Sequence, residues 1–397
     1  MIEEKYVDIR NKEERKDFIE NLETKGYIID KTFFNRDDII GGIFPLVVDL
    51  TNKKINMMGN VTTSAAAVSS GVLISKEQFE LLLKYKDKKI LDGIIGFAIG
   101  DALGVPAEFK SRNELKINPI VDMIEGGAHN QEKGTFSDDT SMTLATMDSI
   151  ISKKVIDTED LAKKFVDWYR KSEYTATGKI FDIGDTTRQA LAKFELKIDK
   201  AVNCGGVGEY DNGNGSLMRL LPIVYYIYYK KIDNEIKIYN IVKEVSSITH
   251  AHEISVLGCY IYVRYCLLLL DGKDKIEAYK KLQQLDYSMF SDYAISKYNR
   301  ILKSNIAEVI EDDISSSGYV VSTLEAVMWL FLNSTDYNTT ILKAVNLGND
   351  TDTIAAITGG FLGIYYGIEN IKSEWKQTLR RYDYILDLCN RFDEEVK

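Results

Sequence analysis

Cysteine, histidine and proline are scarce in this chain, and each scarcity narrows what it can be. Only four cysteines occur, Cys204, Cys259, Cys266 and Cys389. They show neither the close pairs of a zinc site nor the density of a disulfide scaffold, so reduced, buried thiols are expected. Four prolines in 397 residues leave long helices uninterrupted, and the two that break helical patterns are Pro106 and Pro222. No apolar run reads as a bilayer span: 220–229 is too short and 254–270 carries Arg264. The opening residues, MIEEKYVDIR, are charged and lack an apolar centre, so no secretory signal and a cytoplasmic location are expected. Positive charge is also in deficit. The net charge of −10 argues against general binding to a nucleic-acid backbone, although a local basic patch could still dock one.

That deficit is uneven. Residues 1–88 hold 15 acids and 14 bases, whereas the remainder holds 45 and 36. A hydrophobic share of 45% and a charged share of 28% are ordinary for a folded globular chain. The length allows one large domain or two smaller ones, since a single core stops growing near roughly 250–300 residues.

Residues 1–88 read as a small α+β module. A polar helix is expected over 12–24, and the β-branched and aromatic runs at 27–34 and 43–58, around Asn52-Lys53-Lys54, carry a hairpin signal. A small-residue run at 61–71 precedes Ser75, a helix cap with Glu77 and Gln78 behind it, and a helix ending near Tyr85. From Ile90 the apolar spacing becomes 3.6 residues, so 89–397 is expected to be all-α. Helices are expected near 90–105, 139–152, 159–172, 185–195, 216–230, 236–248, 253–270, 274–285, 322–333, 337–346, 353–366 and 372–392. No internal repeat is evident.

Two short clusters carry the chemistry. Ser137, Asp138 and Asp139 sit at the start of one helix, and Asp350, Asp352 and Thr353 at the start of another. Taken singly, each is ordinary capping, because hydroxyls and acids are favoured at helix N-termini. If the two starts converge, four carboxylates meet and require a cation. Oxygen-only donors favour magnesium, with manganese as the alternative, over zinc.

Four further features accompany them. Gly93, Gly96, Gly100 and Gly104 share roughly one helical face, which calls for either tight helix packing or close approach of a ligand. Glu108 follows in an irregular turn, and Asp101, inside that helix, is expected to be a buried, hydrogen-bonded support. The glycine-dense loop 205–216 leads into a helix and suits an anion. In Thr249-His-Ala-His252, the two histidines point apart and cannot chelate together; His250 is the one placed near a ligand.

The stretches Asp92-Gly-Ile-Ile-Gly-Phe-Ala-Ile-Gly-Asp-Ala-Leu-Gly, Ser-Asp-Asp-Thr, Gly-Asn-Gly-Ser-Leu-Met-Arg, Thr-His and Gly-Asn-Asp-Thr-Asp-Thr, in that order, resemble the ADP-ribosylglycohydrolases over about residues 90–370. The resemblance implies a compact all-α fold and a binuclear magnesium centre that cleaves the bond between C1″ of ADP-ribose and its acceptor. Ser137, Asp138, Asp139, Asp350, Asp352 and Thr353 would ligate the ions, and Glu108 would be the mobile acid beside them. Asn214, Gly215 and Ser216 would hold the diphosphate, with His250 near the ligand. Glu108 and Asp352 are the candidates to manage the proton as an oxocarbenium-like state develops. Asn349 departs from the second glycine common there, and asparagine tolerates the left-handed conformation. The implied substrate is an ADP-ribosylated protein or nucleic acid, handled by a monomer, with no membrane and with residues 1–88 free to meet a protein partner.

Competing classes fare worse. A terpenoid synthase would need acids at positions occupied by Met142 and Ile357, and an Asp-x-Asp-x-Thr phosphatase would need Asp350 to follow a parallel strand. A binding protein that acts by occluding a partner through residues 1–88 would keep the same pocket.

Overall fold

The computed structural model describes residues 88–397 throughout and, before them, residues 4–7, 9, 11–24, 27–29, 36–41, 46–49, 54–57 and 73–74. The chain divides into two compact units, Met1–Lys88 and Lys89–Lys397.

The first unit holds, among its described residues, β1 (Glu4–Val7), α1 (Lys12–Thr24), β2 (Ile28–Ile29), α2 (Arg36–Gly41), β3 (Leu46–Asp49), β4 (Lys54–Met57) and β5 (Leu73–Ile74). The sheet order is β2-β4-β3-β1-β5. β3 pairs antiparallel with β4, as the hairpin signal requires, and with β1; the outer pairs β1–β5 and β2–β4 are parallel. α1 buries Phe18, Ile19 and Leu22, at i, i+1 and i+4, in a core with Val7, Leu46, Val48 and Ile55. Arg15 is buried with them, its guanidinium donating to the carbonyls of Ile39 and Ile9. The expected helix behind Ser75, the run 61–71 and the tip of the hairpin lie outside the described residues.

The second unit is all-α. Its longer helices are α3 (Lys89–Gly104), α5 (Asp138–Lys153), α6 (Thr158–Lys171), α7 (Asp185–Glu195), α8 (Leu221–Tyr229), α9 (Glu235–Ser247), α10 (Glu253–Leu270), α11 (Lys275–Leu282), α14 (Val320–Leu332), α15 (Tyr337–Val345), α16 (Thr351–Tyr366) and α18 (Tyr382–Val396). Shorter α4 (Arg112–Ile117), α12 (Asp292–Lys297) and α13 (Asn299–Leu302) fall where the apolar period is too brief to read, and α17 (Ser373–Thr378) lies within the segment expected as one helix over 372–392. By length and composition α3 and α10 could cross a bilayer, but 89% and 78% of their apolar windows are buried inside the unit. Arg264 of α10 pairs with Glu235 at 2.8 Å.

Two expectations need correction. The segment 216–230 opens as a 3-10 turn at Leu217–Arg219 before α8, because Pro222 suits a helix start. The helix expected over 372–392 is broken at 379–381: the Arg380 N–H donates to the carbonyl of Gly134, and Arg381 turns left-handed with φ 55. A tertiary hydrogen bond there overrides local propensity.

The glycine face of α3 meets α16, which settles its purpose in favour of packing. A Cβ built on Gly100 would lie 2.1 Å from the carbonyl oxygen of Ala355, and one on Gly96 2.4 Å from that of Gly359. At Gly104 the same contact is with the backbone of Asp352, at 2.3 Å. Glycine therefore sets the depth at which α16 delivers its acids. Helix propensity alone makes Gly100→Ala a gain of about 1 kcal/mol. Overlap with the α16 backbone costs about 3 kcal/mol or more. The expected net result, a loss of about 2 kcal/mol or more in urea unfolding, fails if the variant is more stable than the parent.

Candidate active site

The two acidic helix starts converge. Ser137 caps α5, its Oγ accepting from the Asp139 N–H at 3.3 Å. The start is clamped from α3: Asp101 Oδ1 accepts from the Ser137 N–H at 2.9 Å, while Oδ2 accepts from the N–H and hydroxyl of Thr140 at 3.0 and 2.6 Å. Asp101 is fully buried, as a supporting acid should be, and burial pushes its carboxyl up to about 6 against those hydrogen bonds. On the other side, Thr351 Oγ1 donates to the Gly104 carbonyl at 2.8 Å, and Thr353 Oγ1 reaches Asp139 Oδ2 at 3.3 Å.

Asp138, Asp139, Asp350 and Thr353 face a cleft of about 570 Å³, together with Glu108, Phe109, Asp182, Thr187, Gly213, Asn214, Gly215, His250, Gly318 and Asn349. Ser137 and Asp352 are buried and do not line it. Carboxylate oxygens of Glu108, Asp350 and Asp352 lie within 4.8 Å of one another. Burial first, and then neighbouring carboxylates, push Asp138, Asp139 and Asp352 well above the usual carboxylate range. Asp350 is also raised by burial, opposed by the Asn214 amide that donates to it at 2.5 Å.

The donor set fits a divalent cation. Asp139 Oδ1 and Asp352 Oδ1 are buried and find no hydrogen-bond partner among the described residues. Two orphaned carboxylate oxygens inside a crowd of like charge are costly unless protonated or metal-bound. The group Glu108, Asp350 and Asp352 and the orphaned Asp139 oxygen offer hard oxygen donors, the preference of magnesium or manganese.

The glycine loop behaves differently from its reading. Its first half is tied down by backbone hydrogen bonds, Gly205 N–H to Ser247 and Gly206 N–H to Thr249, so that only Gly213, Asn214 and Gly215 reach the cleft. Ser216 is the correction: its hydroxyl is buried against Ser246 and Cys259, at 2.9 and 3.3 Å, and cannot hold a ligand in the cleft. Asn214 commits its side-chain amide to Asp350 and Thr323, orienting an acid rather than waiting for a phosphate. Beneath the loop the buried Arg219 donates to the Gly215 carbonyl at 3.0 Å and to Thr249 Oγ1 at 2.7 Å. His250 lines the cleft as a neutral ring: burial, and then Arg219, depress it to about 3.

Glu108 occupies the rim, where the chain leaves the 3-10 turn Val105–Ala107. Burial pushes its carboxyl up to about 7, opposed by a 2.6 Å hydrogen bond with Nε2 of His129. His129 and Asp182 belong to the site and escaped the sequence reading. Each lies in an irregular loop outside any periodic segment. The surviving signal is glycine nearby, Gly126-Gly127 before His129 and Gly184 after Asp182.

The family model described as ADP-ribosylglycohydrolase matches residues 83–397. An ADP-ribosylarginine hydrolase, Tri1, of Serratia proteamaculans is 34% identical over 306 residues, 76% of this chain and 78% of its own. ADP-ribosyl-(dinitrogen reductase) glycohydrolase of Rhodospirillum rubrum is 26% identical, over 73% of this chain and 90% of its own. Among solved structures, an ADP-ribosylglycohydrolase-related protein complex aligns with a TM-score of 0.65 at 25% identity, over 78% of this chain and 98% of that one. The chain belongs to the ADP-ribosylglycohydrolase family. It is a hydrolase of ADP-ribosyl bonds.

Proposed function

We propose that this enzyme removes ADP-ribose from arginine side chains of a modified protein, using two magnesium ions held by Ser137, Asp138, Asp139, Asp350, Asp352 and Thr353. The observation that carries the metal requirement is the pair of orphaned, buried oxygens on Asp139 and Asp352. Arginine as the acceptor is favoured by the ADP-ribosylarginine hydrolases of Serratia proteamaculans and Pseudomonas putida, the latter 33% identical over 75% of each chain.

The reaction adds water across the C1″–N bond: hydroxide ends on C1″ and a proton on the leaving guanidine nitrogen. Bound divalent cations would supply Lewis-acid chemistry, polarising water and fixing the ribose hydroxyls. Glu108 is the acid–base group, because it faces the cleft, stands beside Asp350 and Asp352 and has a carboxyl pushed up by burial to about 7. Asp352, with no exposed surface on the cleft, is assigned to cation binding rather than proton transfer. The Gly213–Gly215 edge and the neutral His250 ring form the wall for the diphosphate end, where an uncharged, buried ring adds no solvent-exposed competitor.

The test offers ADP-ribosylated arginine, serine and a nucleobase to the full chain, in MgCl2 and in chelator. Free ADP-ribose is expected from the arginine conjugate, with a loss of about 100-fold or more in chelator. Preference for another acceptor removes the arginine assignment, and full activity in chelator removes the metal.

A further inference from the structure

We propose that His129 is a positioning residue: its Nε2 holds the Glu108 carboxylate in the orientation that faces Asp350 and Asp352. The activity arm of its test rests on the hydrolase reading above.

Glu108 projects from a turn into a concentration of negative charge. Its oxygens lie within 4.8 Å of those of Asp350 and Asp352 on one side, and within 4.8 Å of ligand atoms of His129 and Asp182 on the other. Like charge alone would drive it away from the two helix starts. Among the described residues, the hydrogen bond that ties its carboxylate down is the one between His129 Nε2 and Oε2, at 2.6 Å, in which an ionised carboxylate can only accept.

The ring that donates this bond is held from several directions. It packs between Phe109 and Phe181, with centroid distances of 5.7 and 5.0 Å and both planes tilted. Its backbone belongs to a tight hairpin closed by reciprocal hydrogen bonds between Gly126 and Gln131, at 2.8 and 3.1 Å, and the Gln131 amide donates to the His129 carbonyl at 2.8 Å. The hairpin is docked on the Glu108 turn with no side chain between them. Gly127, at φ +76, lies so close to Pro106 that a Cβ there would stand 2.6 Å from the Pro106 Cα. The two partners of the hydrogen bond are thus carried by backbones in direct contact, which fixes their spacing. Outer partners of this kind typically change metal affinity or activity by about 10–100-fold when lost.

Three variants separate the hydrogen bond from the packing. His129→Phe keeps the ring between Phe109 and Phe181 and deletes the donor. His129→Gln removes the ring but places an amide N–H at the reach of Nε2, whereas His129→Asn places one only at the reach of Nδ1. Expected is a loss of about 10–100-fold in kcat for His129→Phe and His129→Asn, with KM within about threefold, and recovery to within about threefold for His129→Gln. MnCl2 binding, followed by calorimetry, is expected to weaken about tenfold in His129→Phe and His129→Asn and to stay near the parent value in His129→Gln. The reverse order, with His129→Phe active and His129→Gln impaired, assigns the ring to packing and overturns the proposal. Equal values for all three overturn it as well. A parent protein inactive on every ADP-ribosyl acceptor defeats the hydrolase reading, and the MnCl2 series then still decides the role of His129.

Discussion

Replacing Asp352 by asparagine is expected to cut ADP-ribose release by about three orders of magnitude, while making the chelated protein more stable. The first effect follows from the loss of one carboxylate charge, with one of its two oxygens replaced by NH2, at a site whose Lewis-acid contribution is several kcal/mol, at about 1.4 kcal/mol per tenfold. The second follows from the site's cost without a cation. Asp352 is buried beside Glu108, Asp139 and Asp350, and each of these raises its carboxyl further. A neutral amide of nearly the same shape removes that repulsion. A gain of about 1 kcal/mol, or roughly 2–4 °C in a domain of this size, is expected in chelator. In saturating MgCl2 the order should invert, because the parent gains RT ln(1 + [L]/Kd) and the variant gains less. Undiminished turnover, or a lower midpoint for the chelated variant, would remove Asp352 from the cation site.

The second large effect is a dependence of stability on pH that a divalent cation erases. Glu108 is raised to about 7 and Asp101 to about 6, chiefly by burial, and Asp138, Asp139 and Asp352 are raised well above the ordinary carboxylate range. A carboxyl whose folded pKa exceeds its unfolded value binds more protons folded than unfolded, so stability falls with rising pH in that window. Its contribution is complete below about pH 4 and disappears as the pH climbs through the folded values. The chelated protein is therefore expected to lose roughly 10 °C in thermal midpoint between about pH 5 and about pH 8, corresponding to a few kcal/mol. In saturating MgCl2 the slope should vanish or reverse, since the cation binds the deprotonated carboxylates. A flat profile in chelator would mean that these acids are already compensated within the protein.

Much of the architecture is legible in the sequence. The 3.6-residue period places α5, α6, α7, α10 and α16 within two residues of where they lie, because long amphipathic or wholly apolar segments leave little choice. The family motifs named the acids at both helix starts and Glu108 at the rim. The cap behaviour of Ser137 was equally local, since a hydroxyl before two acids satisfies the free N–H groups of a helix start wherever that helix sits.

By itself, then, the sequence determined where helices begin and which of those beginnings carry oxygen donors, because caps and periods act over a turn or two of chain. Tertiary structure alone decided which of these features meet. The glycine face of α3 gained its meaning only against α16, where absent side chains let Gly104 touch the backbone of Asp352. Ser216 and Asn214 sit in one motif, yet one hydroxyl is turned into the core and one amide is bound to an acid of another helix. His129 reaches Glu108 across 21 positions because Gly127 lies on Pro106. Such pairings depend on backbone approach between distant segments, and no local propensity encodes that distance.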